Sequence, residues 1–298
     1  NYKNEDHGKV TLTRSLVISI NAIFAEIAVE IVGPEKLVEV AQQFGYGDNY
    51  EDFPLSVSAS DLGPPVAEWL PGYTAQAAFG QGAVVSNVFE MGLVAATVAN
   101  KGEMMEPRIV SEIRSPDGVL VDKSGSSVRE NVLPEETATE LGNMMEAVVR
   151  DGGLVQAQLG DTRVAGKTGT AEAPPDFPHS WWITYAPADD PEIAVAVMVE
   201  NGAEIDEEGN ADTPAIPIAT DILAAHLGVE PGPIPAPEPE PAPQRRPEQQ
   251  PAQPSSQPFQ PFQSPQQPEQ TPFQPPAQQP VPPSGQQPVQ PPVQNPGG

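Results

Sequence analysis

Apolar residues recur at helical spacing through residues 11–32, at Leu12, Leu16, Ile20, Ile23, Phe24, Ile27, Ala28 and Ile31, which predicts one amphipathic helix. Gly33-Pro34 ends it, and Pro34 opens a second helix reaching about Phe44. Ser86 is placed to cap a helix running to Val98, which Lys101-Gly102 closes. Leu133-Pro134-Glu135-Glu136 opens another, reaching Arg150 before Gly152-Gly153 stops it. The period then shortens to two. Residues 163–171, 180–185 and 193–200 read as strands, the last alternating on Val195, Val197 and Val199. Pro174-Pro175 and Asp189-Asp190-Pro191 supply the turns between them, and residues 217–227 return to helical spacing. Helices first, strands next and one closing helix predict an α+β fold, an antiparallel sheet with flanking helices beside a helical subdomain.

The pattern stops near residue 230. Of the 39 prolines, 24 lie in residues 231–298, with 17 glutamines and six charged residues. Such a segment has too few apolar groups to offset the entropy of ordering, so a disordered tail with polyproline II bias is expected. Phe259, Phe262 and Phe273 recur singly in it, and a solvated spacer is the plain reading. The expected division is therefore a folded portion over 1–230 and a Pro/Gln-rich tail over 231–298.

Charge narrows the function classes. The chain carries 41 acidic and 14 basic residues, a net charge of −27, of which −25 falls on residues 1–230. That balance repels phosphate backbones, so no nucleic acid partner is expected. There is no cysteine, which removes thiolate metal sites and a cysteine nucleophile. The three histidines, His7, His179 and His226, make a histidine-rich metal centre or triad a poor reading. No apolar run reaches the ~18 residues that span a bilayer. The first residue is Asn, so a processed chain or a fragment is expected.

Two short motifs carry candidate chemistry. The first is Val164-Ala165-Gly166-Lys167-Thr168-Gly169-Thr170 in a strand-like run. On a strand Lys167 and Gly169 share one face and Thr168 and Thr170 the other. A lysine beside a glycine lets a ligand backbone lie against the strand under a positive charge, and the threonine hydroxyls can hold a carboxylate. The plain alternative is an edge strand with a surface lysine. The second motif is Ser19-Ile20-Asn21. In a straight helix these two side chains point about 200° apart and cannot converge. No Gly or Pro predicts a break there, so two polar residues tolerated mid-helix is the default expectation.

Taken together, S-x-N followed by K-T-G resembles the motif set of penicillin-binding proteins and class A β-lactamases, whose first member is S-x-x-K. Further blocks extend the resemblance to class B penicillin-binding proteins. These are Ala78-Phe79-Gly80-Gln81-Gly82, the helix ending Val98-Ala99-Asn100-Lys101-Gly102, and His179-Ser180-Trp181-Trp182-Ile183-Thr184-Tyr185-Ala186-Pro187. The resemblance covers about residues 5–228 and is nearest to the actinobacterial penicillin-binding protein A type. It implies a β-lactamase/transpeptidase-like fold and a D,D-transpeptidase that cross-links peptidoglycan stem peptides through an acyl-enzyme. By that resemblance Ser19 and Lys167 would relay and poise a proton, and Asn21 would bond the substrate amide. Thr168 and Thr170 would hold the terminal carboxylate, Gly169 would admit the substrate, and the Thr170 N–H would be half of an oxyanion hole. It further implies D-Ala-D-Ala stem peptides and β-lactams as ligands, no cofactor, an extracytoplasmic location, and the division or elongation machinery as partners. No S-x-x-K occurs in these 298 residues. The expectation is that the nucleophilic serine and a membrane anchor lie upstream of residue 1, the given chain being an inactive fragment. A D,D-carboxypeptidase or β-lactamase-like hydrolase, and a non-catalytic penicillin-binding scaffold or sensor, are the alternatives.

Overall fold

A computed structural model describes residues 7–51, 53–206 and 211–232. The expected tail therefore lies outside the described residues, apart from Pro231 and Gly232. At the centre is a three-stranded antiparallel sheet of β5 (Ala165–Ala171), β6 (His179–Ala186) and β7 (Ile193–Val199), in that spatial order. β6 sits in the middle, and among the described residues β5 has one edge not paired with another strand. The register runs from Ala165 opposite Tyr185 to Ala171 opposite His179.

Helices cover both faces of the sheet, as the sequence pattern predicts. On one side α7 (Ala215–Leu227) buries Ile216, Ala219, Leu223 and Ala224 against Trp182, Val195 and Val164. On the other, α5 (Val88–Ala99) and α6 (Glu135–Asp151) bring Val98 and Met145 onto Ala165 and Tyr185. Gly142 of α6 is what lets the Tyr185 hydroxyl approach, since a Cβ there would lie 2.5 Å from that oxygen. Arg163 reinforces the same seam. Its Nε donates to Glu146 Oε1 at 2.8 Å, tying α6 to the start of β5 and holding the Glu146 carboxyl below its ordinary range.

The expected single helix over residues 11–32 is three pieces. α1 (Leu12–Val17) packs on α6, and α2 (Asn21–Ile27) runs into a π-helical turn, Ala28–Val32. α3 (Pro34–Gln43) begins at Pro34 as expected, and α4 (Pro71–Ala77) completes the helical region. The cap of α5 also moves by one residue. Asn87, not Ser86, accepts from the Glu90 N–H, because its amide is itself held by Ser58 O and Ser60 Oγ. Two small two-stranded sheets without a sequence signal lie between α5 and α6. β1 (Glu103–Met105) pairs with β4 (Val128–Asn131), and β2 (Glu112–Arg114) with β3 (Leu120–Lys123), each with a register shift.

One buried acid stands out in the helical region. Glu90 has no exposed surface, and neither carboxylate oxygen has a hydrogen-bond partner among the described residues. Burial raises its pKa from 4.5 to about 7.

Candidate active site

β5 presents the Val164–Thr170 motif at the margin of the sheet. Ala165 is fully buried beneath α6, Lys167 is half-buried and Thr170 is exposed, so the strand emerges from the core as it proceeds. Its entry admits no larger residue at Gly166, where a Cβ would lie 2.3 Å from the fully buried Trp182 ring. Gly169 lies opposite Trp181, and a Cβ there would come 3.0 Å from the tryptophan Cβ. The strand thus keeps Lys167 and Gly169 on the face of Ala165, as the period-two reading requires.

The second motif sits on a break, which corrects the mid-helix expectation. α1 ends with Ser19 N–H donating to Leu16 O at 3.3 Å and Ile20 N–H donating to Ser15 O at 2.9 Å. Ser19 between them has φ +51°, the left-handed region. This is the hydrogen-bond pattern that closes helices around a left-handed residue, usually glycine. Here a serine occupies the position, so the backbone carries strain of about 1 kcal/mol. Ile20, 3% exposed, then caps α2 in an extended conformation. Leu16 packs with the Val98–Met145–Ala165–Tyr185 cluster, and this anchors α1 beside β5.

The break delivers Ser19 to Lys167. Lys167 Nζ donates to Ser19 Oγ, to the Thr168 carbonyl at 3.0 Å and to Thr168 Oγ1 at 3.2 Å. Among the described residues no carboxylate pairs with this ammonium to offset its desolvation, and burial lowers its pKa from 10.5 to about 8. Lys167 is thus half-buried and hydrogen-bonded rather than fully exposed. The fold unites Ser19, Lys167 and Thr168, with Gly169 and Thr170 next along the strand. Asn21 opens α2 two residues past the break and is exposed. Among the described residues its side chain has no hydrogen-bond partner. No group of three or more His, Asp or Glu is placed to hold a metal ion among the described residues.

One neighbour was not singled out as a candidate residue. Gln81 Nε2 donates to the Thr170 carbonyl at 3.4 Å. The signals at Gln81 are the two flanking glycines and the Ala78–Gly82 block of the resemblance, and neither says what the turn touches.

Comparison with known proteins places this arrangement in a family. The penicillin-binding protein transpeptidase domain matches residues 1–224. The peptidoglycan D,D-transpeptidase PbpA of Mycolicibacterium smegmatis is 33% identical over 226 residues, covering 73% of this chain and 44% of that protein. PbpA of Mycobacterium tuberculosis is 34% identical, covering 76% of this chain and 46% of that protein. The chain thus spans less than half the length of these relatives. The crystal structure of PBPA from M. tuberculosis superposes with a TM-score of 0.69 at 29% identity, covering 76% of this chain and 54% of that one. Its penicillin G acyl-enzyme complex gives 0.66 at 28% identity, covering 75% and 50%. A match that takes in the broken helix, the lysine strand and the sheet behind them leaves one assignment: the chain belongs to the penicillin-binding protein transpeptidase domain family.

Proposed function

We propose that Ser19, Asn21 and the Lys167–Thr170 strand form the ligand-holding side of a serine D,D-transpeptidase site acting on D-alanyl-D-alanine stem peptides. The observation that carries this reading is the donation from Lys167 Nζ to Ser19 Oγ, made by an ammonium with no acid paired to it among the described residues. A cation kept in a half-buried place without a counter-charge is poised for an anionic ligand. The terminal carboxylate of the stem peptide suits it, with the Thr168 and Thr170 hydroxyls as donors and Gly169 leaving room for the peptide to lie close. β-Lactams, which carry an equivalent carboxylate, take the same place.

In the reaction a serine oxygen attacks the carbonyl of the penultimate D-alanine, and the bond to the terminal D-alanine breaks. The attacking serine gives up its proton, Ser19 hands it to the leaving amine, and the Lys167 ammonium keeps its charge and poises Ser19. The amine of a second stem then attacks the ester, forming the cross-link and releasing the serine. The Thr170 N–H steadies the developing oxyanion, and Asn21 bonds the substrate amide. These 298 residues hold no S-x-x-K, so what they supply is binding, orientation and proton relay rather than the nucleophile. The reading places the domain on the extracytoplasmic face of the membrane or in the wall, with the division or elongation machinery as partner. It also treats residues 1–230 as the working unit and 231–298 as a spacer.

The test is a titration of the isotope-labelled chain with N-acetyl-D-alanyl-D-alanine, followed by amide resonances. Saturable shifts centred on Lys167–Thr170, lost in Lys167→Ala, are expected. Unmoved resonances in the unsubstituted chain overturn the reading.

A further inference from the structure

We infer that Gln81 is a positioning residue for this site, holding the Thr170 backbone so that its N–H stays presented at the free edge of β5. The inference rests on the carboxylate-binding reading above and adds a residue to it.

The first observation is the way Gln81 is mounted. It lies between Gly80 and Gly82, whose φ values of +75° and +78° put both in the left-handed region. Side chains rarely adopt that conformation, so the two glycines set a path that few other residues could follow. Gln81 N–H donates to Gln76 O at 3.0 Å, closing the turn behind α4. A Cβ at Gly82 would also press on Gln76, 3.0 Å from its Oε1. The backbone that carries the Gln81 side chain is therefore fixed before the side chain reaches anything.

The second observation is what it reaches. Its carboxamide crosses from the helical region to the sheet and donates to the carbonyl of Thr170, 89 residues away. In an antiparallel strand the N–H and C=O of one residue point to the same edge, and consecutive residues alternate. The Thr168 carbonyl, taken by Lys167 Nζ, and the Thr170 carbonyl, taken by Gln81, are two residues apart and so share an edge. That edge is the one without a partner strand among the described residues. Both carbonyls are thus engaged by side chains of this chain, while the N–H groups of Thr168 and Thr170 face the same open side. They are left for a ligand.

Thr170 needs such support. It is the last residue but one of β5, its side chain is exposed, and the strand gives way to the segment leading to β6. An edge strand held from one side frays at its end, and a frayed Thr170 would no longer aim its N–H. The 3.4 Å separation is long for an amide donor, so the bond has room to tighten when a ligand loads the edge.

The test uses the 298-residue chain, isotope-labelled, with N-acetyl-D-alanyl-D-alanine as probe and the amides of Thr168 and Thr170 as reporters. Gln81→Met keeps the length and removes the donor. It is expected to weaken probe binding about 2- to 10-fold, the value of one neutral hydrogen bond. Fast backbone motion should rise at residues 169–171 and stay unchanged in β7, with the melting temperature preserved. Gln81→Glu, which sets a carboxylate against the carbonyl, should bind more weakly still. Binding by Gln81→Met equal to that of the unsubstituted chain, while Lys167→Ala loses it, overturns this inference and leaves the functional reading intact. A melting temperature lowered by several degrees, with loosening across the whole sheet, makes Gln81 a structural residue and also overturns it. An unsubstituted chain whose Thr168 and Thr170 amides ignore the probe removes both proposals together.

Discussion

Lys167 reaches Ser19 across 148 residues of sequence, and the two meet because a helix breaks where neither glycine nor proline stands. The lysine contributes its charge from a half-buried place, and the serine is turned to it by a left-handed backbone. Each needs the other side of the fold to be in position. Leu16 in the cluster under α5 and α6 sets α1, and Gly166 packed against Trp182 sets β5.

The first prediction concerns pH. With its pKa lowered by burial to about 8, Lys167 is largely charged at pH 7 and largely neutral at pH 9. Affinity for N-acetyl-D-alanyl-D-alanine should therefore fall as pH rises through about 8. Lys167→Arg, charged throughout, should show no such fall. The stability effect has the opposite sense. The folded pKa lies below the unfolded one, so burying the charged lysine opposes folding below pH 8, and that opposition fades as pH rises towards 10.5. Affinity that stays flat from pH 7 to 9 would show that an ordinary exposed lysine sits here.

The second follows from the absent motif. Without an S-x-x-K, the 298 residues should hold β-lactams only through reversible contacts at Lys167 and its neighbours. A fluorescent penicillin should leave the polypeptide on denaturing electrophoresis. A band that keeps its fluorescence would reveal a nucleophile that the motif pattern does not show.

The third concerns Glu90. Its folded pKa of about 7 stands above the ordinary 4.5, so its protonated form supports the fold fully below pH 4.5, and that support is lost as pH rises through 7. Around it lie Tyr46, Tyr50, Ser60 and Asn87, with Glu106 adding to the charge near Tyr50. Arg129 sits over the Tyr50 ring and is already paired with Asp48 and Glu106. A shift of this size corresponds to a penalty on the order of 3 kcal/mol above pH 7. Glu90→Gln should raise the urea midpoint at pH 8 and leave it nearly unchanged at pH 5. Equal gains at both pH values would mean that Glu90 is not buried neutral.

The sequence carried the sheet and its chemistry more plainly than the break. β7 alternates on Val195, Val197 and Val199, turn residues separate the three strands, and Lys167 and Gly169 fall on one face by counting alone. Ser19 has no such mark. Its left-handed turn comes from tertiary packing, Leu16 being held on one side and Ile20 buried on the other, and serine at that position is not a habitual signal. Asn87 displaces Ser86 as a cap because Ser58 and Ser60, nearly thirty residues away, hold its amide. β2 and β3 are exposed along their whole length, so no apolar period could announce them. Gln81 was legible as part of a glycine turn, while its contact with Thr170 belongs to the fold.

The last prediction isolates the strain at Ser19. Ser19→Ala and Ser19→Gly both remove the hydroxyl that Lys167 holds, so that loss cancels when the two variants are compared. What remains is the backbone. At φ +51° alanine pays the left-handed penalty and glycine does not, so Ser19→Gly should be the more stable by about 1 kcal/mol. Were residues 11–32 one continuous helix, the order would reverse, because glycine in a helix interior is about 1 kcal/mol worse than alanine. The sign of one difference in urea unfolding thus separates a broken helix from a straight one. In a straight helix Ser19 and Asn21 diverge, and no shared ligand could be held between them. An alanine variant more stable than the glycine variant would remove the geometric basis for the Lys167–Ser19 contact and for the site built on it.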